Sequence, residues 1–412
     1  MTAFTTVTIP GRLPADSWIA WPACRRLIAA LQGRGRFVGG AVRDTLLGRP
    51  VNDIDLTTPW RPDQTMMLLQ QAGIKVVPTG IDHGTVTAVI DHHGFEVTTL
   101  RRDVESHGRH ATVAFTEDWA EDAARRDLTI NALYADGDGT VFDPVGGLGD
   151  LRAGQVRFIG IAEQRIREDY LRLLRFFRFH AWYGNGPVDG EALVACTHLA
   201  AGLDILSVER VWIELRKLLM APDPLISLRP MVDHHILPHV LPEAGPVTPD
   251  HDAHWLDDLR HLPADAGPIL RLASLLPDAD SAVRAADRLR LSNADRAGLV
   301  ALLRVAADFD TVQARPWPAL RRYGLAAVRD GAGLASARQR QDCRAFWALI
   351  ADWQPAPLPV SGTQLLALGV EQGPALGRLI GRLRDWWDDA GQSPDAAACL
   401  AQAECFLHDE SS

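Results

Sequence analysis

The chain has 412 residues, of which 47% are hydrophobic and 23% charged, with a net charge of −10. That is enough apolar material for a sizeable core in roughly two to four domains, and too little charge for wholesale disorder. No apolar run approaches the ~18 residues of a membrane span, and MTAFTTVTIPGRLPADSW lacks the basic-then-apolar order of a secretory signal, so a cytoplasmic protein is expected.

In chain order, residues 1–35 read as a lead-in and one helix, Trp18–Leu31. From 36 to 160, short β-branched runs alternate with Gly and Asp turns: RFVGG, DIDLTT, GTVTAVI, FEVTTL, DLTINALYAD and TVFDP. The runs Gly84–Ile90 and Phe95–Leu100 flank DHHG and predict a hairpin. Helices are predicted at Ala41–Leu47 and Pro62–Ala72, giving an α+β domain with a small mixed sheet. The polar stretch 101–118 reads as a mobile loop. Beyond Glu163 the pattern turns helical, with a long helix over Gln164–Tyr183, another over Ser207–Met220 capped by Ser207, and a last one over Pro374–Trp387. Breaks rich in Pro and Gly divide the remainder. The fold class is therefore α+β: a head over 1–160, a helical neck over 161–225 and a helical body and tail over 226–412.

The five cysteines are odd in number and lack CxxC spacing, which excludes a zinc ribbon and fits reduced thiols. Lys75 and Lys217 are the only lysines, so contacts to phosphates or bases fall largely to arginine. An acidic balance excludes a surface coated with positive charge, but not a local basic channel.

The chemistry concentrates in a few segments. In RFVGGAVRDTLLG a strand ends at Gly39-Gly40 before a short helix carrying Arg43, a turn suited to a phosphate. Asp53 and Asp55 follow; alternation along a strand puts both on one face, where two carboxylates can share Mg²⁺. Glu96 is a possible third metal ligand. Around Asp169, Arg165, Arg167, Arg172, Arg175 and Arg178 are an excess of charge for a helix so rich in Leu and Phe, and they call for an anion such as a nucleoside triphosphate. Asp169 and Arg172, three apart, would be neighbours on one helix face and make an acceptor–donor edge for the Watson–Crick face of cytosine or adenine. His107 and His110 read as solvated rather than metal-binding. His251-Asp252 lacks the partners of a phosphohydrolase motif, and Trp386-Trp387 reads as helix packing.

GGAVRDTLLG with DIDLTT resembles the first signature of the class II tRNA nucleotidyltransferase and poly(A) polymerase family. RRDLTINAL (125–133), RIREDYLRLLRFFRF (165–179) and SVERVWIELRKLL (207–219) resemble further signatures in the family's order, and SGTQLLALGVEQGPALGRLI (361–380) resembles the tail of bacterial CCA-adding members. The resemblance implies a polymerase-β-like head and a Mg²⁺-dependent transferase that adds CCA to tRNA from CTP and ATP, with no membrane and no obligate protein partner. Poly(A) addition, or addition of C or A alone, is the alternative. By position it implies that Asp53 and Asp55 are catalytic and hold Mg²⁺, and that Gly40 and Arg43 hold the triphosphate. It further implies that Arg126 contacts the nucleotide, at its sugar or phosphate, that Asp169 and Arg172 select the base, and that Arg175 and Arg178, also nucleotide-binding, support them or touch phosphate. Asp127 and Asn131 are expected to be structural, and loop 101–118 to act as a lever in the C-to-A switch.

Overall fold

The computed structural model describes residues 11–107, 110–245 and 254–411, with side chains described outside 103–113, 254–255 and 409–411. His107, His110 and His251-Asp252 therefore lie outside the described side chains or residues. The chain forms two compact units, Met1–Pro242 and Glu243–Ser412.

In the first unit, α1 spans Pro22–Ala30; Pro22 starts it, so the single helix expected from Trp18 is instead a 3-10 turn at Trp18–Ala20 followed by α1. A seven-stranded sheet follows, with β1 (Arg36–Val38), β2 (Asp55–Thr58), β3 (Lys75–Gly80), β4 (Thr85–Ile90), β5 (His93–Thr99), β8 (Tyr134–Ala135) and β9 (Val141–Phe142) in the order β3-β4-β5-β2-β1-β8-β9. Pairing is antiparallel except between β2 and β5. The predicted hairpin forms: Ile90 pairs with His93 across Asp91 and His92, both at positive φ, which is the two-residue turn that matches strand twist. Alternation buries Phe37, Leu56, Val86, Ala88 and Val97. The helices α2 (Gly40–Leu46), α3 (Pro62–Gln71), α4 (Trp119–Ala124) and α5 (Gly147–Ala153) complete the head.

Two expectations are corrected here. The polar stretch after Leu100 is an antiparallel ribbon of β6 (Arg101–His107) and β7 (His110–Phe115), separate from the main sheet, rather than a loop. Charged residues in the sequence mask the alternation by which a strand is recognised. DLTINALYAD is not one strand: Thr129–Asn131 is a 3-10 turn before the short β8.

The remaining helices of this unit are α6 (Ala162–Glu168), α7 (Leu171–Tyr183), α8 (Gly190–His198), α9 (Val208–Leu219), α10 (Leu225–Asp233) and α11 (Leu237–Val240). The long helix expected over 164–183 is broken: Asp169 is extended (φ −155°, ψ 108°) between α6 and α7. The face of α7 formed by Leu173, Leu174, Phe176 and Phe177 is buried, so α7 is a core helix whose arginines project from its other side. Ser207 stands at the start of α9, but its hydroxyl makes no cap hydrogen bond.

The second unit is helical throughout its described residues. Its longest helical stretch, Pro316–Gln339, is two helices joined at Gly324. Leu365, Leu379, Leu383, Trp387, Cys399 and Ala403 form one core cluster; Trp387 is buried and its indole N–H donates to the Pro394 carbonyl, so it is packing. Among the described residues no helix is long and apolar enough to cross a membrane.

Candidate active site

One cavity of ≈740 Å³ lies in the first unit, and it gathers segments far apart in sequence. The turn between β1 and α2 supplies Gly39, Gly40 and Arg43; the approach to β2 supplies Asn52, Asp53 and Asp55; the segment after α4 supplies Arg125, Arg126, Asp127 and Asn131. Asp169, Arg172, Arg175 and Phe179 come from the α6–α7 junction and α7, and Arg210 and Lys217 from α9. Seven basic and five acidic side chains thus line it.

Gly39 has φ 72°, a conformation open to glycine, and its N–H donates to the Leu133 carbonyl. A Cβ there would stand 3.6 Å from the Asn131 carbonyl oxygen, so the turn runs close against the second signature. Arg43 is buried. It donates from Nε and Nη2 to Asp44, from Nη1 to Asn131 Oδ1 (2.5 Å) and from Nη2 to the Tyr183 hydroxyl (2.7 Å), and it stacks on the Tyr183 ring. Most of its donors are therefore committed within the protein.

β2 begins at Asp55, so Asp53 lies just before the strand and not within it; both nonetheless line the cavity. Asp55 is paired in register with Glu96 across the parallel β2–β5 contact. Burial, then Glu96, then Asp53 push the Asp55 carboxyl up to about 6, with Arg126 acting the other way. Around Asp55 itself, two neighbouring carboxylates act against a single arginine. Glu96 is exposed and outside the cavity lining. Among the described residues no three His, Cys, Asp or Glu side chains gather as a metal-binding group. Asp53 and Asp55 alone therefore suit an ion that takes its other ligands from phosphates and water, as Mg²⁺ does.

Asp122, fully buried on α4, organises the second signature. Its carboxylate accepts from Arg125 Nε (2.8 Å), Arg126 Nη2 (3.2 Å) and the Tyr134 hydroxyl (2.8 Å), and from the backbone N–H of Arg101 at the root of the ribbon. Burial alone would raise its pKa, but the two arginines and the tyrosine outweigh burial and hold it below the usual carboxylate range. Asp127 is likewise buried. Arg175, Asn131 and the Leu128 N–H overcome desolvation and hold it at about 2. The chain Asp44–Arg43–Asn131–Asp127–Arg175 is thus continuously hydrogen-bonded from α2 to α7.

Asp169 and Arg172 both line the cavity but are not paired through their side chains. The helix break explains it: Asp169 stands outside both helices, so i,i+3 spacing does not set their geometry. Asp169 Oδ1 accepts from the Leu171 N–H (3.1 Å) and Oδ2 from Arg210 Nη2 (2.7 Å). Arg172 Nη1 donates to Glu168 and to the Arg165 carbonyl, while its Nε and Nη2 take no hydrogen-bond partner among the described residues. Arg165, also buried, clasps the carbonyls of Arg125 and Arg126. Arg178 turns to buried Glu214 and is not among the cavity residues.

Sequence reading missed Arg210, Lys217, Asn52 and Phe179. Arg210, Glu214 and Lys217 are spaced i, i+4, i+7 on α9, and that charged stripe beside the apolar face was the available clue.

Known proteins carry the same pattern. Residues 35–157 match the family described as "Poly A polymerase head domain", and residues 187–246 that described as "Probable RNA and SrmB- binding site of polymerase A". The chain is 35% identical over 371 residues to the mitochondrial CCA tRNA nucleotidyltransferase 1 of Mus musculus, covering 86% of this chain and 83% of that protein. It is 31% identical over 375 residues to the CCA-adding enzyme of Latilactobacillus sakei, covering 84% and 87% respectively. Its fold is similar to that of the Bacillus stearothermophilus CCA-adding enzyme crystallised with CTP (TM-score 0.77, 25% identity, 95% of this chain and 99% of that one). By sequence over most of its length and by fold, the chain belongs to the CCA tRNA nucleotidyltransferase family.

Proposed function

We propose that this protein adds CCA to tRNA 3′ ends, using CTP and ATP and releasing pyrophosphate. The observation that carries the reading is that a single cavity contains both an under-neutralised carboxylate pair, Asp53 and Asp55, and a separate acceptor and donor, Asp169 and Arg172, on a rigid helical frame. The first pair suits phosphoryl chemistry and the second suits reading a base. Relatives named for CCA addition, matched over more than four-fifths of their length, support it.

The head over 1–160 is assigned the transfer step, 161–225 nucleotide selection, and 226–412 the holding of tRNA. The turn at Gly39-Gly40 leaves room for the triphosphate, with Arg43 shaping it from behind. Arg126, held by Asp122, is oriented toward the cavity for the sugar or phosphates. Arg175 supports this frame through Asp127, and Arg178 does so through Glu214.

Asp53 and Asp55 fit Mg²⁺. Two Mg²⁺ ions held by these carboxylates would supply charge stabilisation at the α-phosphate and the leaving pyrophosphate and would acidify the attacking hydroxyl. The terminal 3′-oxygen forms a bond to the α-phosphorus as the bond to the α–β bridging oxygen breaks. No histidine is among the described residues lining the cavity. Asp169 accepts from the exocyclic amine and Arg172 donates to the ring nitrogen, an edge that cytosine and adenine share. A cytoplasmic site of action accords with five unpaired thiols.

The test is extension of tRNA transcripts ending at the discriminator base, at C, or at CC, with CTP, ATP or both and Mg²⁺. Arrest once CCA is complete is the expected result. Long A tails from ATP alone would make the protein a poly(A) polymerase, and incorporation of only C or only A would make it a partial enzyme.

A further inference from the structure

We propose that Lys217 binds phosphate in this cavity: its ammonium holds the terminal phosphates of the incoming nucleoside triphosphate and stays with them as pyrophosphate leaves. The inference rests on reading the cavity as a nucleotidyl-transfer site. Of the seven basic side chains lining it, the six arginines are each ion-paired to a carboxylate of the protein. Lys217 is exposed, and its ammonium has no ion pair or hydrogen bond among the described residues. Among those residues it is therefore the one cation of the cavity whose charge is not already set against a protein carboxylate.

Its place in the fold puts it toward the phosphates rather than the base. On α9, Lys217 lies two turns beyond Arg210, which pairs with Asp169; at about 1.5 Å per residue the two levels are roughly 10 Å apart. Asp169 stands just before α7, whereas the Lys217 carbonyl accepts from the indole of Trp182 in the last turn of α7, at 2.8 Å. The Trp182 carbonyl in turn accepts from Arg49 at 2.9 Å. Arg49 and Arg43 both stack on the Tyr183 ring, and Arg43 also donates to its hydroxyl. This series of contacts ends on α2, the helix opened by the Gly39-Gly40 turn.

The residue type suits the task. A guanidinium is a planar fork that matches fixed partners, and the arginines of this cavity have them. An ammonium is a compact point charge with three rotatable donors on a flexible stem, able to follow a group that moves. As the 3′-oxygen bonds to the α-phosphorus, the electron pair of the breaking α–β bridge passes to the β-phosphate. Lys217 stabilises that new charge while keeping its own proton, an interaction stronger in the transition state than in the bound substrate.

The experiment compares wild type, K217A and K217Q by calorimetric binding of CTP and of CMP in the presence of Mg²⁺, by pyrophosphate inhibition of primer extension, and by tRNA affinity across salt concentrations. Both variants are expected to bind CTP about tenfold more weakly and CMP as wild type does, with pyrophosphate inhibition weakened in proportion and tRNA affinity unchanged. The side chain is exposed, so both should melt as wild type does; K217Q, which keeps most of the stem, decides the matter should K217A not fold. Equal losses for CTP and CMP would show a merely structural role and overturn the inference. So would unchanged CTP affinity, and if the tRNA salt slope then dropped by about one charge the ammonium would belong to an RNA phosphate instead. Failure of the CCA reading looks different: wild type then does not stop at CCA on the transcripts, while the CTP-to-CMP comparison still reports on Lys217. If wild type binds no CTP, both fall together.

Discussion

Asn131 accepts a 2.5 Å hydrogen bond from Arg43, 88 positions earlier in the chain, and passes the connection on to Asp127 through its amide at 3.1 Å. One buried side chain thus joins Arg43 of α2, through Asp127, to Arg175 of α7. Replacing Asn131 with Ala strands a donor on Arg43 and an acceptor on Asp127. The variant should lose about 1–3 kcal/mol of stability in denaturant unfolding. Its nucleotide turnover should fall further than that loss explains at temperatures where it remains folded.

Asp55 gives a prediction of opposite sign for stability. Its carboxyl is raised to about 6, so the folded protein binds a proton there more readily than the unfolded chain does. Stability from this group is present at low pH and is lost as pH rises through about 6. Without divalent cations at neutral pH, Asp55→Asn should raise the melting temperature by roughly 1–3 °C. Mg²⁺ should raise it in the wild type and not in the variant. Asp53→Ala and Asp55→Ala should each cut incorporation by at least about 100-fold while remaining folded. Calorimetry with and without Mg²⁺, beside the extension assay, checks all of these.

Acid stability should show two separate windows. His180 is 2% exposed, its Nε2 has no partner, and burial pushes its pKa down to about 4. The unfolded chain takes this proton near 6.5 and the folded one only near 4, so stability is full above about 6.5 and falls as pH drops toward 4. The loss amounts to about 3 kcal/mol at most. Asp127, held at about 2, contributes stability above the usual carboxylate pKa and loses it as pH falls through about 2. His180→Leu should flatten the first window and leave the second, as read from unfolding midpoints across pH.

Gly202 makes room for Tyr170. A Cβ at this position would lie 1.9 Å from the ring's Cδ1, and Tyr170 adjoins Asp169. Gly202→Ala should cost about 1–3 kcal/mol through overpacking and should raise KM for CTP and ATP. Pairing it with Tyr170→Ala should recover part of the stability, which a double-mutant cycle measures.

Much of the site could be read from spacing. Gly39-Gly40, Asp53 with Asp55, and the arginines after Asp169 are local patterns whose types suit phosphate and cation chemistry, and they line one cavity except for Arg178; Arg165, Arg167 and Glu96 also lie outside its lining. The parts that could not be read depend on tertiary structure. The break at Asp169 leaves no glycine or proline in its segment, and helical periodicity runs through it unmarked. Partner choice was equally hidden: Arg172 meets Glu168 across the α6–α7 break, while Asp169 to Arg210 and Arg178 to Glu214 depend on where α9 packs. The ribbon after Leu100 was mistaken for a loop because its charged residues conceal the alternation that identifies a half-buried strand.

Of the two lysines in the chain, Lys217 lines the cavity and Lys75 lies on β3, at the opposite margin of the sheet from β9, and both are exposed. A reagent that acylates amines therefore has, besides the chain's terminal amine, one target at the site and one remote from it. The ratio of modification at Lys217 to that at Lys75, followed by peptide mass analysis, becomes an internally referenced footprint of nucleotide occupancy that needs no engineered label.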